Sequence, residues 1–462
     1  MTRIYRKAAG VHIWLGAQAD NSEIAIQVAR QLADQTPRGP GQLGIVYPET
    51  TAEQRDFHRK ALAKLFERPW WERVWVRQEV AVAKEATVHC GSEYCSFHAI
   101  TLTLEILNKM DEELGFKAIQ EKPTSEPHSN LLRTTSYSRA YTLALYRSRQ
   151  GQGPTTAYKD LGTLIHDTRA CLATDSRDKV FSILGLVDPN IWDLRADYRL
   201  SIKETFVAVT CCLISRKQSL DIISECQNPE RANGFPSWVP NLVEGWKARP
   251  FPARGLHYAE VLVSEAPDFA FEGEGGCVLK ARGSRIDVIE TLSEETPCQD
   301  ATSEELEDLD MKWRELAKSA LLNPQIDSSH RGYVMRYNDD GPWIQFLSAY
   351  SDMGKPLMKT AARLEVPGDY LMAKSLLLPG DEEVVSLDVK GLKQRVHVQL
   401  MKYGVGRRLC ITKMGSVLLV PADSLVGDEI WVFRGTNYPF VLREEKKGKY
   451  VVVGEACEYS FV

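Results

Sequence analysis

The sequence predicts an α/β N-terminal part, a helical middle, and a small β-barrel-like C-terminal part carrying a helical insertion. Three observations predict it. Between Val11 and Cys90 the apolar pattern reads strand, helix, helix, helix, strand, the order of a parallel α/β layer. From Leu131 to Leu213 apolar residues recur at helical spacing. Beyond Pro250 short β-type runs follow one another, separated by glycine turns. The chain of 462 residues exceeds what one core usually holds. The expected boundaries are 1–115, 116–250 and 251–462, with the insertion at about 303–403.

MTRIYRK leads into AAGVHIWLGAQA, which imitates a signal peptide. Its apolar run is short and broken by Gly10, His12 and Gly16, so the reading is a helix end followed by a strand, Val11 to Leu15. That strand is nearly continuously apolar, which suits an interior place with both faces covered. Asp20-Asn-Ser-Glu23 resembles a capping box for a helix burying Ile24, Val28 and Leu32. TPRGPGQLG is a loop, and Thr51 with Gln54 caps the next helix, which carries Phe57, Leu62, Leu65 and Phe66.

The organising stretch is FERPWWERVWVRQEVAVAKEATVHCG, Phe66 to Gly91. Pro69 can open a helix because its missing N–H falls among donors that have no partner there. At helical spacing Trp71, Val74, Trp75, Gln78, Glu79 and Val82 share one face, with Arg73, Arg77 and Lys84 on the other. A carboxylate on an indole-rich face needs either a structural partner or a chemical task, and spacing alone leaves both open for Glu79.

Further on, Glu121 to Asn130 is a polar linker, and helices are expected over Leu131–Arg149 and Tyr158–Cys171. In ATDSRDKVFSILGLVDP, Asp175, Arg177 and Asp178 open a helix as a cap with a salt bridge. Ser201 with Glu204 caps a helix burying Ile202, Phe206, Val209 and Leu213, and LDIISEC has the composition of a strand. CVLKARGSRIDVI is β, a capping box at Thr302 and Glu305 starts the insertion, and helices are expected near Trp343–Ser351 and Val385–Tyr403. RRLCITKMGSVLLVP, GDEIWVFRG and PFVLREEKKGKYVVVGEA form a meander turned at Gly427-Asp428, Gly435–Asn437 and Lys447-Gly448.

Composition excludes several classes. A net charge of −5 gives no footprint for nucleic acid or an anionic membrane. No stretch approaches the ~20 apolar residues that span a bilayer, so the protein is expected to be soluble and cytoplasmic. Ten cysteines include no CxxC pair. Cys90 and Cys95, with His89 and His98 nearby, lack a second ligand pair at finger spacing, so free thiols are expected, with no metal and no cofactor. GEGG at 273–276 precedes a strand and offers no helix N-terminus to a phosphate.

The pieces IYRKAAGVHIWLG, RVWVRQEVAVAKEATVHCG, TDSRDKVFSILGL, FPSWVP, GRRLCITKMGSVLLVP, GDEIWVFRGTNYPFVLR and KYVVVGEA, in that order, resemble the fungal heterokaryon incompatibility (HET) domain family. The family usually begins upstream with a Ser-Tyr-x-Trp-Gly-like strand and a Cys-Ile-Asn-Gln-like stretch, and neither is in this sequence. The resemblance therefore implies a truncated, inactive copy with a partial TIR-like parallel sheet. It also implies a role in non-self recognition and programmed cell death. Some TIR domains cleave NAD, and their catalytic glutamate follows a tryptophan on a helix. Trp75 and Glu79 resemble that pair, so Glu79 is the catalytic candidate and NAD the implied substrate. The alternatives are a non-catalytic signalling module that associates with itself or a protein partner, and a decayed copy.

Overall fold

The computed structural model describes residues 2–35, 51–117, 135–150, 160–227, 229–230, 234–251, 266–296, scattered positions from 305 to 316, and 404–458. It divides into two compact units, residues 1–202 with 242–245, and residues 203–241 with 246–462. The linker expected at 121–130 and the helices expected near 343–351 and 385–403 lie outside the described residues.

In the first unit, helix α1 (Thr2–Lys7) leads into strand β1 (Val11–Trp14), then α2 (Ser22–Gln35) and α3 (Ala52–Phe66). A 3-10 turn (Pro69–Glu72), α4 (Val76–Ala81), β2 (Ala86–Cys90), β3 (Glu93–Ser96) and α5 (Phe97–Lys117) follow. The parallel pairing read from the sequence is present: Val11, His12, Ile13 and Trp14 pair with Ala86, Thr87, Val88 and His89. β3 returns antiparallel on β2 through a tight turn at Gly91, whose φ of 58° favours glycine. Thr51 and Gln54 form the expected reciprocal cap of α3.

Three expectations change here. β1 is an edge strand of the order β1-β2-β3, and its inward residue Ile13 is buried whereas His12 and Trp14 are exposed. One face is covered rather than two, because the strand alternates His and Trp with Ile. Asp20 and Asn21 take positive φ, so α2 begins at Ser22, and its buried stripe is Ala25, Ile26, Ala29 and Leu32. Phe57 is exposed on α3, while Leu62, Leu65 and Phe66 are buried. The core joins Ile13, Ile26, Leu65, Trp71, Val88 and Ile100, with Leu143 of α6 (Thr135–Gln150). Helices α7 (Leu161–Thr168) and α8 (Asp178–Phe181) and a 3-10 turn (Leu184–Leu186) follow in the first unit.

The second unit opens with α9 (Ile202–Lys217), which buries Phe206, Val209 and Leu213 but leaves Ile202 exposed. LDIISEC, expected as a strand, is a 3-10 turn over Asp221–Glu225. The Asp221 carboxylate there accepts from the Asn437 backbone N–H at 2.9 Å and side-chain amide at 2.7 Å, and that distant partner overrides the local β pattern. β4 (Phe269–Glu272) pairs with β5 (Val278–Ala281) as a separate hairpin. The main sheet contains β6 (Gly283–Glu295), β7 (Arg407–Thr412), β8 (Val417–Pro421), β9 (Glu429–Phe433), β10 (Phe440–Lys446), β11 (Lys449–Glu455) and β12 (Cys457–Glu458).

Its order is β11-β10-β9-β6-β7-β8-β12. The first half of β6 pairs with β9 and the second half with β7, with register shifts in both ladders, so this long strand bends the sheet. Past Ala456 the chain continues from β11 into β12, which pairs with β8 at the opposite end of the order. The sheet is thus a curled antiparallel half-barrel around Ile289, Leu418, Ile430, Val441 and Val453. Gly454 permits that curl, because a Cβ there would meet the Pro421 ring at 2.6 Å.

Cys90 and Cys95 are buried in the β2–β3 hairpin, and all nine cysteines among the described residues are free thiols. Burial pushes the Cys95 thiol up to about 12, which disfavours the reactive thiolate. Alkylation in denaturant without reductant, read by mass spectrometry, is expected to modify all ten thiols of the chain. A reproducible Cys90–Cys95 bridge is the contrary result.

Candidate functional site

The stretch around Glu79 is built from two short turns rather than one helix. After the 3-10 turn at Pro69–Glu72, Arg73 is extended at ψ 130°, and α4 starts three residues later. That break resets the helical phase. Arg77, expected on the solvent side, is completely buried, and Glu79, expected on the buried face, is half-buried.

Arg77 spends its donors on carbonyls and sulfur. Nη1 donates to Arg139 O at 2.6 Å, and Nη2 to Trp71 O at 3.0 Å and Cys171 Sγ at 3.2 Å. Trp71 is also fully buried, donates from Nε1 to Leu65 O at 2.9 Å, and meets Trp70 edge-on at a 4.9 Å centroid distance. At the far end of α4, Arg147 of α6 covers the Val80, Ala83 and Lys84 carbonyls. A cation there satisfies the last acceptors of a short helix.

Two sequence motifs separated by about a hundred residues meet at this stretch. Val74 N–H donates to Leu172 O at 2.9 Å and Leu172 N–H to Glu72 O at 2.6 Å, which lays the segment before α8 alongside it. The Trp75 indole donates to Asp178 Oδ2 at 2.9 Å, and the Tyr198 hydroxyl to Asp178 Oδ1 at 2.6 Å. Asp178 is therefore held by two neutral donors. Burial, then the hydrogen bond to Asp178, pushes the Tyr198 phenol up to about 12. Asp175 and Arg177 form the expected ion pair, with 2.7 Å between Nη2 and Oδ2, whereas the expected side-chain cap is not made: the cap position of α8 is Arg177 itself, and Asp175 accepts that residue's backbone N–H instead. The Arg177 hydrogen bond holds Asp175 below the usual carboxylate range. Next in line, the buried Lys179 ammonium donates to the Arg169 and Cys171 carbonyls, and burial lowers it to about 8.

Glu79 itself faces α1. The Tyr5 hydroxyl is hydrogen-bonded to it, and burial followed by the Glu79 charge raises that phenol above its ordinary value, with Arg73 pulling the other way. The neighbouring Gln78 amide donates to Thr2 Oγ1, so α1 and α4 are joined at two successive residues. A half-exposed carboxylate steadied by one phenol can oppose a developing positive charge or relay a proton. Sequence reading missed Tyr5 and Arg77; Tyr5 sits in the quoted IYRK segment, but nothing local pairs it with a residue 74 positions on.

Residues 1–79 match the sequence model of the family described as Heterokaryon incompatibility protein (HET), and the match ends at Glu79. This N-terminal segment is similar to the HET family. The chain is also similar to Heterokaryon incompatibility protein 6, OR allele, of Neurospora crassa, at 23% identity over 293 residues. That alignment covers 54% of this chain and 42% of the relative, so the chain spans less than half of the relative's length. No solved structure matches the chain. The HET segment supplies Tyr5, Trp75 and Glu79, whereas Asp178, which holds the Trp75 indole, lies outside the matched residues. Among the described residues no helix is long and apolar enough to cross a membrane.

A second polar centre lies within the other unit. A cavity of about 290 Å³ is lined by Gln227, Lys247, Asp423, Arg407 and Glu455, among others. Arg407 and Glu455 are both about 1% exposed and pair at 2.7 Å, and the Phe251 ring lies 3.9 Å from the guanidinium carbon. Glu455 Oε1 also accepts the Phe251 N–H at 2.7 Å, whereas Oε2 has no hydrogen-bond partner among the described residues. Complete burial pushes the Glu455 carboxyl up to about 7, against the pull of Arg407.

Proposed function

We propose that the chain acts in fungal non-self recognition as a heterokaryon incompatibility protein that brings about cell death. In this reading its N-terminal unit, with β1 and β2 as the parallel pair of a TIR-like sheet, cleaves NAD at Glu79. The observation that carries it is Glu79 itself, half-exposed at the end of the HET match and hydrogen-bonded to Tyr5. In NAD the nicotinamide is a cationic leaving group. Breaking the bond from ribose C1′ to nitrogen releases neutral nicotinamide and leaves oxocarbenium-like charge on the sugar. The Glu79 carboxylate opposes that charge, as carboxylates do in glycoside hydrolysis, and the Tyr5 hydroxyl steadies the carboxylate. Water then adds at C1′, its proton passes to solvent, and ADP-ribose results.

Expression of the full chain in fungal cells, with NAD and viability followed together, tests this reading. Glu79→Gln is expected to lower NAD loss by about 100-fold or more while leaving the melting temperature unchanged. An unchanged rate of NAD loss refutes the assignment. A collapsed melting temperature shows instead that Glu79 is Tyr5's structural acceptor. The second reading, a non-catalytic association module, is favoured by the exposed Trp14 on edge strand β1. Under that reading killing persists in Glu79→Gln without NAD loss and is abolished by Trp14→Ser.

A further inference from the structure

The outward face of the β1-β2-β3 sheet carries two imidazoles that play no part in the Glu79 reading. Inward residues Ile13, Val88 and Cys95 are buried, so His12, Trp14, Thr87, His89, Tyr94 and Ser96 project from the opposite face. His12 registers with Thr87, and His89 lies two residues further along β2, a diagonal neighbour. His12 Nδ1 and His89 Nε2 face each other at 2.9 Å, with ring centroids 5.1 Å apart and planes inclined by 35°. Such a contact is a hydrogen bond only when one ring carries the shared proton. Remove that proton, and two lone pairs converge on one point.

We propose that His12 and His89 form a two-imidazole site for a divalent transition-metal ion such as Zn²⁺, Ni²⁺ or Cu²⁺. The geometry suits it. Nitrogens bound about 2.0–2.1 Å from a metal stand about 2.8–3.0 Å apart at a tetragonal right angle and about 3.4 Å apart at a tetrahedral one. The observed 2.9 Å falls within the first range. Both rings can turn toward a common ion, because His12 is exposed and His89 half-buried, with the Tyr94 ring tilted against it at 5.8 Å. Binding moves the shared proton to the far nitrogen of its own ring, so each imidazole stays neutral, keeps one N–H and offers one lone pair to the ion. Among the described residues no group of three or more His, Cys, Asp or Glu side chains converges for a metal. Water completes the coordination, and the affinity is correspondingly modest. The strands hold the two rings in register, so the site does not rest on a mobile loop.

Calorimetric titration of the full chain with Ni²⁺, an ion that thiols do not reduce, tests the proposal. One site is expected, and His12→Ala and His89→Ala should each weaken it by about tenfold or more, as loss of a metal's direct ligand requires. Thr87→His places a third imidazole beside the pair and should tighten binding by about tenfold. Parental affinity retained in both alanine variants, or no binding by the parent, shows a hydrogen-bonded pair only and overturns the site. If an alanine variant fails to fold, Thr87→His decides: unchanged affinity overturns the proposal, and tighter binding supports it.

Discussion

Arg407→Met is expected to destabilise the C-terminal unit by about 3–5 kcal/mol at pH 8. The reason is the carboxylate left behind. Glu455 is about 1% exposed, and without Arg407 its charge keeps the Phe251 N–H while Glu225 adds a like charge nearby. The loss should shrink in the double variant Arg407→Met/Glu455→Leu, because an apolar pair of similar volume leaves no orphan. Acidity modulates the effect. Burial raises the folded carboxyl from its ordinary 4.5 to about 7, so between these pH values the folded state keeps a proton that the unfolded state releases. Stability contributed by this group therefore falls as pH rises through that window, by about 3 kcal/mol in all, and is constant above it. Glu455→Gln should flatten the slope. Urea melts at pH 5 and pH 8 check both statements, and a parental slope retained in Glu455→Gln contradicts them.

Trp71→Ala should cost the N-terminal unit about 3–5 kcal/mol, a large share of the ~5–15 kcal/mol that holds a domain together. The indole is fully buried against Phe66, Trp70 and Phe97, and its carbonyl accepts from the buried Arg77. Trp71→Phe keeps most of the volume but removes the donor to Leu65 O, so its cost should be about 1–3 kcal/mol. Amide exchange at Val88 and Ile13 reports the loss directly. A change below about 1 kcal/mol in Trp71→Ala would mean that the surrounding side chains refill the space.

Much of the fold was legible where local chemistry decides the outcome. The C-terminal strands follow the turns at Gly427, Gly435 and Gly448, all with positive φ. The Thr51–Gln54 cap and the Asp175–Arg177 pair are contacts within three residues, and a linear reading reaches that far. Pairing of Val11–Trp14 with Ala86–Cys90 followed from the order of elements. What failed was whatever a distant partner fixes. The extended Arg73, bridged to Leu172, shifted the phase of α4, so Arg77 went inward and Glu79 toward the surface. The Asp221 turn answers to Asn437. Of the candidate site, Trp75 and Glu79 were visible as a pair four residues apart, while Tyr5 and Asp178 had no local signature. His12 and His89 lie 77 residues apart and were likewise hidden until β1 and β2 were placed side by side.

The bond from Trp75 to Asp178 closes a loop of 103 residues, and the Val74–Leu172 bridge closes one nearly as long. Each must be made against the entropy of the intervening chain, a cost that grows only slowly with length but delays its closure. During synthesis at about 5–20 residues per second, the segment that ends at Glu79 waits at least several seconds for Asp178 to be made. Arg77 waits in turn for the Arg139 carbonyl and for Cys171, and Trp75 has no acceptor until Asp178 is made. The stretch that matches the HET family's sequence model is thus shorter than the stretch that can fold. An expression fragment designed on the homology boundary would stop before the residues that close its own structure.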